Sequence, residues 1–198
     1  MSGRFRRAAG GGVTARFGTT ETVVLRQLLG ELVELVAPDD EGTTDPLERA
    51  VGIGWSSSPP EDPALARLLP DAYADPEAAA EFRRYTEVPL REGKVRNART
   101  ALESLDAPGR LHLDAEQAAA WLGALNDLRL TLAARLGLDP GGPVAGAGGA
   151  GGAGVAGAGG SGAALEPDEL PEDDPRRPAY AVYQWLGWLQ ETLVRALS

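Results

Sequence analysis

Residues 140–163 are almost wholly Gly and Ala, and no other stretch constrains the fold as much. Side chains that small leave the segment nothing to bury, so it can neither build a core nor cover one and reads as a flexible linker. Yet the chain beyond it is strongly apolar. Between Pro178 and Leu197, the residues Val182, Trp185, Leu186, Trp188, Leu189, Leu193 and Leu197 cover most of a helix's circumference. A helix that apolar is expected to be packed on several sides. It must therefore return across the linker to a core built by the residues before it. The expected organisation is one domain: residues 1–139 form a hairpin plus helical core, 140–175 a disordered Gly/Ala and acidic linker, and 176–198 a C-terminal helix completing the same core.

The earlier residues divide in the same way. Phe5, Val13, Ala15 and Phe17 alternate loosely with Arg residues around Gly10-Gly11-Gly12, which suggests a short β-hairpin. Thr19 or Thr20 is placed to cap a helix with Glu21 in its first turn, and Val24, Leu25, Leu28, Leu29, Leu32, Leu35 and Val36 follow at helical spacing. Residues 38–62 form an acidic connection in which Asp45–Arg49 could make one helical turn. Asp62-Pro63 and Asp75-Pro76 each start a helix, with Asp as the cap and Pro at the first helical position. Pro89 is expected to kink or restart the second of these before it continues to about Leu105. Arg110–Leu113 suggests a short strand that could pair with the hairpin. Asp114 then caps a helix whose apolar face runs from Ala118 through Trp121, Leu125 and Leu132 to Leu136, with Gly137 as its stop. The fold class is thus mainly α: a single helical domain of about five helices with a small N-terminal β-hairpin and a disordered Gly/Ala-rich loop before the C-terminal helix.

The formal charge is −10, but its distribution matters more. Residues 38–62 carry seven acids and one base, residues 140–175 six acids and no base, and the remainder is close to neutral at +2. Acidity normally argues against duplex DNA, because phosphate contacts need Lys and Arg. Here it is confined to two connections, so the argument loses force: a DNA contact is possible, and it is expected to be weak. The chain has no cysteine, which excludes a disulfide framework, a Cys-ligated zinc, a thiol nucleophile and a thiol redox switch. The basic N-terminus lacks the apolar run of a signal peptide, and Tyr180–Leu197 is broken by Gln184, Gln190, Glu191 and Arg195. A cytoplasmic protein without a membrane span is expected.

No catalytic, cofactor-binding or metal-binding constellation emerges. His112, the single histidine, stands in Leu-His-Leu and reads as an outward residue on a short strand, because nothing else can complete a site with it. The pairs Asp39-Asp40 and Asp173-Asp174 fall in loops that hold no fixed geometry. Gly10-Gly11-Gly12 lacks the Lys-Ser/Thr of a phosphate loop, and Ser56, Ser57 and Ser58 precede two prolines without a strand-to-helix elbow. The basic cluster Arg83, Arg84, Arg91, Lys94, Arg96 and Arg99 is the candidate partner-binding surface; its alternative is a solvated helix face with local ion pairs. Asn126, Asp127 and Arg129 interrupt the most apolar helix and read as structural, as a polar interhelical contact that fixes register would be.

Three stretches carry a family likeness. They are Glu81–Glu87 with Leu90, Arg91 and Lys94; Trp121-Leu122 with Ala124–Leu130 and Arg135-Leu136-Gly137; and Val182–Leu186 with Leu189-Gln190-Glu191. Together they resemble an actinobacterial domain-of-unknown-function family described as AosR-like oxidative-stress transcriptional regulators. The 18 Arg against one Lys independently suggest a GC-rich source. The resemblance implies a non-enzymatic cytosolic regulator that binds a sigma factor or RNA polymerase at promoters of sulfur and redox metabolism. Its alternative is a scaffold or adaptor for cysteine-biosynthesis or Clp proteolysis machinery, with no role in transcription.

Overall fold

Among the described residues, four of the five helices start where a carboxylate takes backbone N–H groups at the first turn. A computed structural model of the chain describes residues 3–37, 58–106, 110–138, 171 and 173–198. Among these, α1 spans Thr19–Val36, α2 Pro63–Leu68, α3 Pro76–Asp106, α4 Ala115–Leu136 and α5 Arg177–Leu197. The Asp62 carboxylate accepts from the Leu65 N–H at 2.8 Å, and that of Asp75 from the Ala78 N–H at 2.9 Å. At α4 the box is reciprocal: Gln117 N–H donates to Asp114 at 2.8 Å and Asp114 N–H to Gln117 at 3.1 Å. Gly137, at φ 67°, closes α4 with Leu138 N–H donating to the Ala133 carbonyl at 2.9 Å. The start of α1 differs from expectation. Gly18 is the cap residue, not Thr19 or Thr20, and the buried Glu21 reaches back to accept from Gly18 N–H at 2.8 Å and Gly3 N–H at 3.2 Å.

The hairpin forms with very short strands, β1 at Arg6–Arg7 and β2 at Val13–Ala15, and β3 at Leu111–Leu113 adds to it antiparallel in the order β1-β2-β3. Register pairs Val13 with Leu113, Thr14 with His112 and Ala15 with Leu111. The period of two turns Val13, Ala15, Leu111 and Leu113 inward and leaves His112 exposed. Gly12 is required here: its φ is 77°, and a Cβ would stand 2.4 Å from the Leu113 carbonyl oxygen.

One core joins these pieces, with Leu25, Leu29 and Leu32 of α1, Ala98 of α3, Trp121 and Leu125 of α4, and Leu186, Leu189 and Leu193 of α5. The central element is α4, which packs against α2, α3 and α5. The Trp121 indole meets the rings of Phe5 and Phe17 at centroid distances of 5.4 and 5.9 Å and donates to Ser104 Oγ at 2.8 Å. Thr192 Oγ1 accepts from Phe5 N–H at 3.2 Å, so α5 and the N-terminal arm close on each other.

Two expectations are corrected. Helix α3 does not restart at Pro89 but runs through it as one helix, and Pro89 and Tyr85 are both exposed there. Helix α5 buries one face and is not packed all round: Trp185, Leu186, Leu189 and Leu193 are inside, while Trp188, Val194 and Leu197 remain exposed. The turn at Asp45–Arg49, most of the acidic connection and the Gly/Ala tract lie outside the described residues. Among those described, no helix is long and apolar enough to cross a membrane.

Candidate partner-binding surface

The charged residues of α3 sort themselves by the helical period. Arg83, Glu87 and Arg91 follow one another at four-residue intervals, so they stack on one face, and that face is turned inward. Each is only 6% exposed. Glu87 accepts from Arg83 Nη1 at 2.8 Å through one oxygen and from Arg91 Nε at 2.9 Å through the other. Arg83 Nη2 also donates to Asp71 at 2.6 Å and to the Leu69 carbonyl at 3.1 Å, and Arg91 Nη1 to the Val36 carbonyl at 3.3 Å. The two guanidiniums and two carboxylates are therefore mutually neutralising, and they join the ends of α1 and α2 to α3. Burial opposes the charge on Arg83, but the hydrogen bonds and charges of Glu87 and Asp71 outweigh it and hold its pKa above the ordinary value.

Lys94 is also engaged. Its Nζ donates to Asp127 at 2.7 Å, bridging α3 to α4. Asp127 is 3% exposed, and burial pushes its carboxyl above the ordinary value against the opposing pull of Lys94 and Asn126. Arg129, two residues on, links α4 to α5 through Gln190 at 2.6 Å and lies over the Tyr183 ring at 5.4 Å. Asn126 is half-buried. Of the six bases in the candidate cluster, Arg83, Arg91 and Lys94 thus face inward, and Arg84, Arg96 and Arg99 are exposed. The structure does not gather the six into one patch.

It does form a pocket that the linear sequence does not disclose. A cavity of about 100 Å³ opens between Leu69–Ala72 and α3, where Ala79, Phe82, Thr86 and Leu90 form its apolar wall and Arg83 and Glu87 its polar one. Tyr73 stands at its edge with its ring against Phe82, centroids 5.6 Å apart. Phe82 and Leu90 are each 43% exposed. Arg83 Nε, buried, has no hydrogen-bond partner among the described residues. The space suits a single aliphatic side chain and not a drug-sized ligand, for which pockets run to roughly 300–1,000 Å³. The one sequence signal for this site was the Arg83–Glu87–Arg91 spacing. Leu69–Ala72 joins only in three dimensions.

Among the described residues no group of three or more His, Asp or Glu side chains is placed to hold a metal ion. Ser56, Ser57 and the Asp39-Asp40 pair lie outside the described residues.

The chain matches the family model described as "Domain of unknown function (DUF2017)" over residues 1–197. It is 32% identical over 194 residues to the protein named Oxidative stress regulator AosR in Mycobacterium tuberculosis, covering 89% of this chain and 78% of that one. The protein of the same name in Mycobacterium bovis matches with the same identity and coverage. No solved structure matches the chain.

Proposed function

We propose, from the premise that this chain belongs to the DUF2017 family, that it is a non-enzymatic regulator of oxidative-stress transcription acting by binding a sigma factor or RNA polymerase. The names of its relatives support an oxidative-stress regulatory role. The observation that carries the binding reading is the pocket beside α3. Arg83 and Glu87 form its charged wall, and its rim exposes Tyr73, Phe82 and Leu90. A partner segment inserts an aliphatic side chain there, against the apolar wall of Ala79, Phe82, Thr86 and Leu90. The charged wall is already fixed by its ion pairs, so docking requires little reordering.

With no cysteine, the chain takes its redox cue from its partner and not from a thiol of its own. DNA contributes little: the exposed Arg84, Arg96 and Arg99 alternate with exposed Glu81 and Glu92 and make no basic stripe.

The test is retention of RNA polymerase and sigma subunits from the native lysate by the purified chain, compared with a Leu90→Asp variant. Loss of retention at an unchanged melting temperature supports the reading. Equal retention by both proteins removes the pocket from it. Retention of cysteine-biosynthesis enzymes or Clp components without polymerase would make the chain an adaptor.

A further inference from the structure

The face of α3 turned away from the core is patterned in a way its packing does not require. Glu81, Tyr85, Pro89, Glu92, Arg96 and Arg99 are all exposed, and at the helical period they fall within roughly an 80° sector. Phe82 borders it. Tyr85 is 62% exposed, the highest value among the large hydrophobic side chains described. Tyr85, Pro89 and Phe82 thus place an aromatic and apolar surface at mid-helix, with Glu81 on its N-terminal side, Glu92 just past Pro89, and Arg96 and Arg99 toward the C-terminal end. None of Glu81, Glu92, Arg96 and Arg99 makes an ion pair among the described residues. Even Glu92 and Arg96, at pairing distance in sequence, stay apart.

We propose that this face joins two copies of the chain, with the two α3 helices antiparallel about a two-fold axis between Val88 and Pro89. The charges select both the occupant and the direction. Glu81 and Arg96 are equidistant from that point, as are Tyr85 and Glu92. Antiparallel apposition of a second copy sets Glu81 against Arg96, the Tyr85 hydroxyl against the Glu92 carboxylate, and Val88 against Pro89. A two-fold axis makes every such pair twice. Parallel apposition would place Glu on Glu and Arg on Arg, which is repulsive. The aromatic centre supplies the buried anchor, for which Tyr is well suited, and the charges form a rim that fixes register. The pocket beside Leu90 lies on the adjacent face, shares only Phe82 with this one, and stays accessible in the dimer.

The test uses the full chain, with sedimentation velocity across a concentration series. The native protein is expected to dimerise reversibly. Glu81→Arg and Arg96→Glu each create two like-charge contacts in the homodimer, and each is expected to weaken it at least about tenfold. An equimolar mixture of the two variants restores both pairs and is expected to dimerise as the native chain does. Both positions are exposed, so circular dichroism melts confirm that each variant is folded. A native chain that stays monomeric overturns the proposal. So does a dimer indifferent to both reversals, or a mixture that fails to associate.

Discussion

Glu87 sits between two guanidiniums, and burial makes it one of the least replaceable residues on the surface of α3 that faces the core. Exposed ion pairs at this spacing are worth only ~0.3–0.5 kcal/mol. Removing one partner from a buried set instead leaves uncompensated charge, at a cost of ~3–5 kcal/mol. Glu87→Gln is therefore expected to lower the unfolding free energy by about 3 kcal/mol or more in urea denaturation. Arg84→Glu, at an exposed site, should change it by no more than about 0.5 kcal/mol. Arg91→Glu belongs with Glu87→Gln, because it sets a second carboxylate against Glu87. Asp127 gives a pH signature. Its folded-state pKa is raised by burial, so between the ordinary carboxylate value and the raised one the folded protein binds more protons than the unfolded chain. Stability from this group is therefore present at low pH and lost as pH rises through the raised value. The stability of the native protein relative to Asp127→Asn should accordingly be greater near the acid end of that window than at neutrality. Paired urea melts at the two pH values measure this, and a difference that grows toward neutrality would refute the assignment.

Elements follow their local signals closely, and the departures have physical causes. Asp62-Pro63, Asp75-Pro76 and Asp114 with Gln117 were legible as helix starts because capping depends on three or four consecutive residues. The pairing of Leu111–Leu113 with the hairpin was legible as a possibility, since alternation marks a strand without naming its neighbour. Helix α5 is apolar around most of its circumference yet covered on one face, because periodicity reports which residues are apolar and not which neighbours exist to cover them. The pocket was hidden for the same reason: Leu69–Ala72 reaches α3 only through the tertiary fold. Pro89 shows how context overrides a local rule. An interior proline costs a helix about 3 kcal/mol relative to alanine, yet here the lost hydrogen bond falls on the exposed face. Pro89→Ala is expected to stabilise the fold by roughly 1–3 kcal/mol in thermal melts at low protein concentration. A loss of stability would show that the ring itself is packed.

At the scale of the molecule, α5 follows a Gly/Ala tract yet shares its core with elements from the opposite end of the sequence. Leu186, Leu189 and Leu193 are fully buried beside Trp121 and Leu25, and Thr192 holds the N-terminal arm through Phe5. Residues 176–198 are accordingly proposed to complete the same domain as residues 1–139 and not to dock as a separate piece. The distinction is thermodynamic. An appended helix can melt by itself, but one that supplies the core's own wall can leave only when the core opens. Unfolding should therefore be a single transition in which helical circular dichroism and tryptophan fluorescence coincide. The fluorescence samples both parts, because Trp121 lies on α4 and Trp185 and Trp188 on α5. Leu189→Ala, which opens a cavity at a fully buried position, is expected to shift both probes together by about 2–5 kcal/mol. Were fluorescence to move ahead of circular dichroism in that variant, α5 would be a detachable element and the one-domain organisation would fail.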